Sequence, residues 1–133
     1  VYITNNLNYQ RYEVNCIPKG DCVIFISYSG EIDQLCELAK ILKNKGTSII
    51  VISSLGDNRL KTYADVVLHI STREKLYSKI GGFSNEYSIK LILDILYSQY
   101  FALDYETHLK KRIDISQKAE VTRVSSIDIL KEK

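Results

Sequence analysis

Hydroxyl-bearing residues follow two apolar segments of this chain, and their types suit the binding of an anion. Ser27-Tyr28-Ser29-Gly30 comes directly after the apolar residues 22–26, and Ser53-Ser54 comes directly after residues 49–52. Serine hydroxyls donate hydrogen bonds to phosphate oxygens, and a glycine lets the backbone approach a ligand closely. Because these side chains carry no charge, they suit a ligand that must be released again. These residue types therefore make the two segments candidates for a site that binds an anion such as phosphate.

The elements predicted around these residues form a parallel α/β sheet, which places the two segments side by side. Residues 22–26 and 48–52 are predicted to be strands buried on both faces, and a third strand covers residues 65–70. An amphipathic helix that ends at Gly46 joins the first two strands. Its apolar stripe consists of Ile32, Leu35, Cys36, Ala39 and Leu42. In such sheets ligands bind beyond the carboxyl ends of the strands, where a helix N-terminus attracts anions.

A purely structural interpretation of the same residues stays open. A Ser-Gly pair before a helix is also common as an N-cap and turn, and Ser53-Ser54 can simply begin a loop. The pattern S-x-S-G is short, so the residue types alone do not choose between ligand binding and local capping.

The remaining segments predict further helices. Residues 1–3 are expected to be extended and the asparagine-rich stretch after them a loop, while residues 60–64 form a short helix after a turn. A long helix begins at its N-cap Ser84, and so much of its circumference is apolar that we expect a subunit interface. A shorter helix follows. We therefore predict a main domain at residues 1–106 and a C-terminal helix and tail at residues 107–133.

Composition and charge exclude several classes of protein. The chain has 133 residues with 18 Lys+Arg against 16 Asp+Glu, a net charge of +2, whereas nucleic-acid-binding modules carry clustered basic faces. Its hydrophobic content of 45% is too high for a disordered chain. No apolar run reaches the ~20 residues that span a bilayer, so we expect a cytoplasmic protein without a membrane partner. The absence of methionine, even at position 1, predicts a piece of a longer protein.

The three cysteines, Cys16, Cys22 and Cys36, lack the C-x-x-C spacing of metal sites. Cys22 and Cys36 fall where strand and helix cores are predicted, so we expect reduced, buried thiols rather than zinc ligands or a disulfide. No cofactor is expected.

The order of these motifs resembles the SIS (sugar isomerase) domain, and more closely the sugar-phosphate-sensing domain of RpiR-family bacterial transcriptional regulators. The resemblance extends over about residues 1–105. It rests on Gly20-Asp21 before the first apolar run, the S-x-S-G turn, Gly46, Ser53-Ser54 and Ala64-Asp65. It implies a three-layer α/β sandwich with a mainly parallel sheet of flavodoxin-like strand order.

The same resemblance implies roles for individual residues and for partners. Ser27, Ser29 and Gly30, with Tyr28 between them, would bind the phosphate of a phosphosugar, and Ser53 with Ser54 would complete the pocket. The partners implied are a phosphosugar effector and further copies of the chain, in a homodimer or a higher homo-oligomer.

Two departures from the family pattern qualify these expectations. Many SIS domains carry Thr where this chain has Ile32, so one phosphate-donating hydroxyl is absent. The family's first strand and helix are also missing, as is the helix-turn-helix domain that precedes them in full-length regulators. Residues 1–3 would then be the second strand of an N-terminally truncated domain, and contact with DNA would depend on the missing helix-turn-helix domain.

Three functions fit this combination, and a phosphosugar sensor is favoured. An aldose–ketose sugar-phosphate isomerase on the same fold needs a general base, for which the candidates are Glu31, His69, Glu86 and His108. Each of these also has an ordinary structural role, such as an acid in a helix first turn, so no catalytic residue is assigned. The third function is a dimerisation module that has lost its ligand.

Overall fold

A computed structural model describes residues 3–4, 6–70, 75, 77 and 81–119 of the chain. The elements follow in the order helix α1 (Leu7–Cys16), strand β1 (Cys22–Ile26), helix α2 (Asp33–Lys45), strand β2 (Ser48–Ser54), a 3₁₀ helix (Leu60–Tyr63), strand β3 (Val66–Ile70), helix α3 (Phe83–Ala102) and helix α4 (Tyr105–Ala119). They divide into two compact units, Val1–Ile92 and Leu93–Lys133.

The three strands form one parallel sheet in the order β1-β2-β3. Cys22 lies opposite Ser48 and Ile26 opposite Ile52, while further along β2 Ser53 lies opposite His69 on β3. This arrangement confirms the predicted α/β class and the parallel sheet. Because the strands are parallel and in step, the polar residues that follow β1 and those that end β2 meet at the same edge.

Helix α2 covers one face of the sheet and forms the core with it. The buried apolar residues of this core are Val14, Phe25, Cys36, Leu38, Ala39, Leu42, Ile49, Val51 and Leu60. They come from both α2 and the alternate positions of β1 and β2 that point toward it, with one residue each from α1 and the 3₁₀ helix. Full burial of a leucine side chain stabilises by roughly 1.5–3 kcal/mol, so this layer fixes β1, α2 and β2 as a unit.

The opposite face of β1 is more exposed than the sequence predicted. Ile24 is 41% and Ile26 44% exposed, and Cys22 is exposed as well. The prediction of a strand buried on both faces was therefore wrong for β1. The apolar run did predict the strand correctly. However, β1 lies at an edge of the described sheet, and every second side chain of β1 points away from α2.

The cysteines divide accordingly. All three are free thiols, but only Cys36 is buried, whereas Cys16 and Cys22 are exposed. Of the two cysteines that were predicted to lie in cores, Cys36 is buried as expected, and the prediction was wrong for Cys22.

Helix α1 begins within the asparagine-rich stretch that the sequence predicted to be a loop, and it continues through residues for which no helix was predicted. Its asparagines and tyrosines are weak helix formers, so the segment carries no strong helical signal. Tertiary contacts stabilise it instead: Val14 is buried in the core, and Arg11 forms an ion pair with Glu37 of α2 at 2.5 Å. Of the residues predicted to be a second strand, Val1 and Tyr2 lie outside the described residues, and Ile3 is not in a strand.

Helices α3 and α4 confirm the predicted long helix followed by a shorter one. Helix α3 begins one residue earlier than predicted, since Phe83 is already helical and Glu86 N donates to Gly82 O at 2.9 Å. Ser84 is therefore inside the first turn and is not the N-cap. Within the described residues no helix combines the length and the apolar character that crossing a membrane requires.

Aromatic contacts join α4 to the end of α3. Phe101 packs edge-on against Tyr105, and His108 stacks on Tyr100 with ring centroids 4.6 Å apart. The Nδ1 atom of His108 also lies 3.1 Å from Phe101 O. His108 thus has a structural role in this helical hairpin.

Candidate phosphate-binding turn

The turn after β1 presents two serine hydroxyls. Gly30 N donates to Ser27 Oγ at 3.2 Å, and Glu31 N donates to Ser29 Oγ at 3.4 Å. Both oxygens therefore act as acceptors inside the turn. Among the described residues neither hydroxyl donates to a protein acceptor, so both retain a proton that can be given to an anion. Ser29 is half-buried at the surface, whereas Ser27 is only 6% exposed and lies deeper.

The end of β2 lies directly against this turn, as the sequence predicted. Ser54 N donates to Tyr28 O at 3.2 Å, and Ser53 Oγ donates to the same carbonyl at 3.3 Å. The Ser53 hydroxyl is fully buried, and it also accepts from Asn58 Nδ2 at 2.8 Å. The structure thus brings all the predicted residues together, but Ser53 already uses its hydroxyl to join the turn to the strand end.

Gly30 is the residue in this turn whose identity the backbone requires. Its φ angle is +65°, in the left-handed region that side chains disfavour. Its carbonyl accepts from Leu60 N at 3.0 Å and lies 3.8 Å from the thiol of Cys36. Burial raises the pKa of that thiol, so Cys36 stays protonated beneath the turn.

The N-terminus of α2 follows the turn and has no side-chain cap. Its N-cap residue is Ile32, which makes no capping hydrogen bond and is 48% exposed. The first N–H groups of a helix have no intrahelical partner, and a hydroxyl or carboxylate at the N-cap usually binds one of them. The sequence predicted that Ile32 removes a phosphate-donating hydroxyl. The same residue also leaves the N-terminus of α2 without a side-chain cap. An anion can take the place that such a cap would occupy.

Charged side chains beside the turn are engaged with the protein. Arg59 Nη1 pairs with Asp33 Oδ1 at 2.6 Å, which raises the pKa of the guanidinium. Glu31 Oε1 accepts from Arg59 N at 3.0 Å. The Lys61 ammonium donates to Ser54 O at 2.7 Å and also to Gly56 O. These two cations thus hold the loop after β2, and the turn itself offers a ligand neutral hydrogen-bond donors.

Sequence reasoning missed Asn58, which it assigned only to a turn. An asparagine before a short helix is a capping signal, and Asn58 Oδ1 does accept from Lys61 N at 3.2 Å. Nothing in the sequence, however, pairs its amide with Ser53.

The candidate bases are dispersed. Glu31 is bound to the backbone of Arg59, and Glu86 lies in the first turn of α3. His69 is exposed on β3 rather than packed in a core, and it lies opposite Ser53 in the register of β2 and β3. Of the four candidates, His69 is the one that the sheet register aligns with a predicted site residue.

Relatives of this chain fall into two functional classes. It is 29% identical over 89 residues to the uncharacterized HTH-type transcriptional regulator YbbH of Bacillus subtilis, a match that covers 67% of this chain and 31% of YbbH. It is 41% identical over 56 residues to a probable arabinose 5-phosphate isomerase of Haemophilus influenzae, covering 42% of this chain and 17% of that protein. The matched region thus spans about a third or less of the length of these relatives.

A solved structure shares the fold. The Vibrio vulnificus NanR protein complexed with ManNAc-6P superimposes with a TM-score of 0.74 at 12% identity, covering 89% of this chain and 45% of NanR. This likeness confirms the SIS-type α/β architecture that the sequence predicted. The sequence pattern of the SIS domain matches residues 6–104. Because that match spans most of the 133 residues, the chain belongs to the SIS domain family.

Proposed function

We propose that this chain is the effector-binding domain of a bacterial transcriptional regulator of the RpiR type and that its effector is a phosphosugar. The phosphate binds at the turn Ser27-Tyr28-Ser29-Gly30 and the N-terminus of α2. Ser54 contacts the phosphate or a sugar hydroxyl at the rim. Ser53 supports the turn from below, since its hydroxyl is engaged with Tyr28 O and Asn58.

The main support for this proposal is that hydrogen-bond donors from the turn after β1 lie next to the N-terminus of α2. The Ser27 and Ser29 oxygens accept from the turn backbone and keep their protons, while α2 begins at an uncapped Ile32. Hydroxyl donors and uncapped helix N–H groups together form a neutral anion site. The relatives support the same reading, because HTH-type regulators are among them and the structural neighbour NanR is complexed with a phosphosugar.

A thermal-shift screen tests the proposal with ManNAc-6P, arabinose 5-phosphate, glucose 6-phosphate and inorganic phosphate. A ligand at about 100 times its Kd stabilises the folded state by ~2.7 kcal/mol, which raises the Tm of a domain of this size by roughly 10 °C. We expect at least one sugar phosphate to raise the Tm more than inorganic phosphate does. No shift with any of these ligands would contradict the proposal.

Two serine variants locate the site. Ser29→Ala removes a hydroxyl from the turn, and Ser48→Ala removes one from the exposed start of β2, at the opposite end of the sheet. We expect the ligand-induced shift to vanish in Ser29→Ala and to persist in Ser48→Ala. Equal shifts in both variants would place the ligand elsewhere.

An isomerase is the second candidate function. The arabinose 5-phosphate isomerase relative supports it, and so does the alignment of His69 with Ser53 across the sheet. His69 would then be the general base. Incubation of the chain with each stabilising sugar phosphate, followed by separation of aldose from ketose, distinguishes the two functions. Turnover that is lost in His69→Gln would establish the enzyme, whereas binding without turnover supports the sensor.

Self-association is part of the proposal. Large apolar side chains on α3 and α4 are exposed, as is Leu103 in the turn between the two helices; those on the helices are Tyr87, Leu91, Ile95, Tyr97, Tyr100, Tyr105 and Ile115. Exposed apolar patches of this kind mark interaction sites, and a second copy of the chain is the proposed partner. We expect light scattering to give a dimer for the wild type and a monomer for Leu91→Glu/Ile95→Glu. A monomeric wild type would contradict this part.

The regulatory consequence follows from ligand linkage. An effector that binds one state of the dimer more tightly shifts the population toward that state, and a helix-turn-helix domain elsewhere in the same regulator then changes its affinity for DNA. Such a regulator acts in the cytoplasm, where its operator is located.

A further inference from the structure

Asn58 uses both ends of its carboxamide between β2 and the 3₁₀ helix. Nδ2 donates to Ser53 Oγ at 2.8 Å, and Oδ1 accepts from Lys61 N at 3.2 Å. The first bond reaches back to the end of β2, and the second binds the N–H of Lys61 in the first turn of the 3₁₀ helix. Asn58 therefore fixes the course of the loop after β2 relative to the strand that it leaves.

The same carboxamide lies directly against Gly30 in the turn after β1. A Cβ atom added to Gly30 would lie 2.6 Å from Asn58 Nδ2 and closer still to Oδ1 and Cγ. Real Cβ atoms do not approach other atoms so closely, so a side chain at position 30 would have to displace the Asn58 carboxamide. The contact shows that Asn58 forms one wall of the turn that carries Ser27 and Ser29.

These contacts close a ring around the candidate site. Tyr28 O accepts from Ser53 Oγ, which accepts from Asn58, which packs on Gly30. Gly30 O in turn accepts from Leu60 N of the 3₁₀ helix. Without Asn58, the buried oxygen of Ser53 loses its donor and Gly30 loses the group against which it rests. A buried polar group that loses its partner destabilises the structure around it.

We propose that Asn58 is a positioning residue of the phosphosugar site, an inference that rests on the proposed function. It acts through Ser53 and Gly30 and not by contact with the ligand. By holding the strand end and the turn together, it keeps the Ser27 and Ser29 hydroxyls in the geometry that receives the phosphate. Such pre-organisation lowers the cost of binding.

The test compares Asn58→Ala with Asp65→Ala in calorimetric titrations of the 133-residue chain, with the sugar phosphate that stabilises the wild type most. Asp65 ties β3 to β2 at the opposite end of the sheet, where it accepts from Ile49 N at 2.8 Å. Both variants are titrated well below their Tm, so that both are folded. We expect Asn58→Ala to weaken binding by about tenfold or more and Asp65→Ala to leave the affinity unchanged.

A double-mutant cycle adds a readout that a purely structural role would not move. Gly30→Ala displaces the Asn58 side chain, so Asn58→Ala should cost little further affinity in the Gly30→Ala background. Additive losses of affinity would overturn the inference, because independent sites add.

The remaining outcomes distinguish a failure of the positioning role of Asn58 from a failure of the proposed phosphosugar site. Wild-type affinity in Asn58→Ala would overturn the positioning role and leave the phosphosugar site intact. Equal weakening in Asn58→Ala and Asp65→Ala would assign the effect to general destabilisation and overturn it as well. A wild type that binds none of the sugar phosphates would overturn the proposed function, and the inference with it.

Discussion

The two ends of helix α2 are built in opposite ways. At its C-terminus Gly46 adopts a left-handed conformation with φ +75°, and its N–H contacts Leu42 O and Lys43 O. Lys45, in the last turn, donates to the carbonyls of Val14, Asn15 and Ile17 at the end of α1 and beyond it, at 2.8–3.3 Å. Backbone carbonyls that lack a helical partner are thereby satisfied.

At its N-terminus the same helix has no such cover. Ile32 contributes no capping bond, and the turn before it holds the Ser27 and Ser29 hydroxyls with protons to donate. A missing N-cap costs a helix typically ~1 kcal/mol. One end of α2 is thus capped by the protein itself, while the other end has no side-chain cap.

The strongest test of this contrast uses the two glycines that flank the helix. Both have positive φ, but a Cβ on Gly30 overlaps Asn58, whereas a Cβ on Gly46 meets nothing within 4 Å. Gly30→Ala should weaken sugar-phosphate binding by about 100-fold or more, or roughly 2.7 kcal/mol. Gly46→Ala should cost about 1–2 kcal/mol of stability through its left-handed backbone and leave the affinity unchanged. Calorimetric titration measures the affinity of both variants, and urea unfolding measures their stability. Equal affinities would contradict the proposed difference between the two ends of α2.

Lys45 should show a large effect on stability alone. Lys45→Met removes the ammonium from three carbonyls and should reduce the free energy of unfolding by about 2 kcal/mol, because bonds to charged groups are the stronger ones. Lys40→Met, at an exposed position of the same helix, is the matched control and should change little. A ligand affinity that falls in Lys45→Met would mean that the two ends are not independent.

A substitution at Ile32 tests the difference between the two ends of α2 through a gain of stability. Ile32→Thr supplies a hydroxyl at the N-cap and should stabilise the chain by about 0.5–2 kcal/mol, with tighter sugar-phosphate binding if the hydroxyl also reaches the phosphate. The control is Ile32→Val, because valine has the shape of threonine but lacks the hydroxyl. Thermal unfolding with and without ligand compares the two variants, and identical behaviour would show that the N-terminus of α2 does not lack a cap.

The smallest expected effect is a dependence of stability on pH, which arises at the C-terminal end of α2. The hydrogen bond from Lys43, in the last turn of α2, lowers the pKa of Asp65 from its ordinary value of 3.8, and the bond from Ile49 N acts in the same direction. A carboxyl with a lowered folded-state pKa stabilises fully above its unfolded pKa and loses this contribution as the pH falls through the folded value. The stability difference between wild type and Asp65→Asn should therefore be present at about pH 7 and shrink below about pH 3.8. A difference that does not change with pH would contradict this assignment.

The central βαβ unit could be predicted from the sequence because its signals are local. Strand-length apolar runs, a helical stripe and Gly46 mark β1, α2 and β2 without reference to the rest of the chain. Parallel strands in step then require the residues after β1 and at the end of β2 to meet. The adjacency of Ser54 and Tyr28 follows from this rule.

The remainder depends on contacts between distant segments, which residue types do not encode. Helix α1 consists of weak helix formers and is held by Val14 in the core and by Lys45. Ile24 has the same sequence signature as a buried strand residue and is exposed because of the position of β1 in the sheet. The bond from Asn58 to Ser53 exists only after the loop has folded back. The ligand roles of the predicted serines and the domain boundary at residue 106 stay predictions.

The most direct test of the central claim is a calorimetric titration of the wild type and of Ser29→Ala with the sugar phosphate that raises the Tm most. Hydrogen bonds to charged groups contribute about 1.5–3 kcal/mol. We therefore expect saturable binding to the wild type at one site per chain, weakened by about tenfold or more in Ser29→Ala. Wild-type affinity in Ser29→Ala, at unchanged stability, would contradict the assignment of the phosphate to this turn.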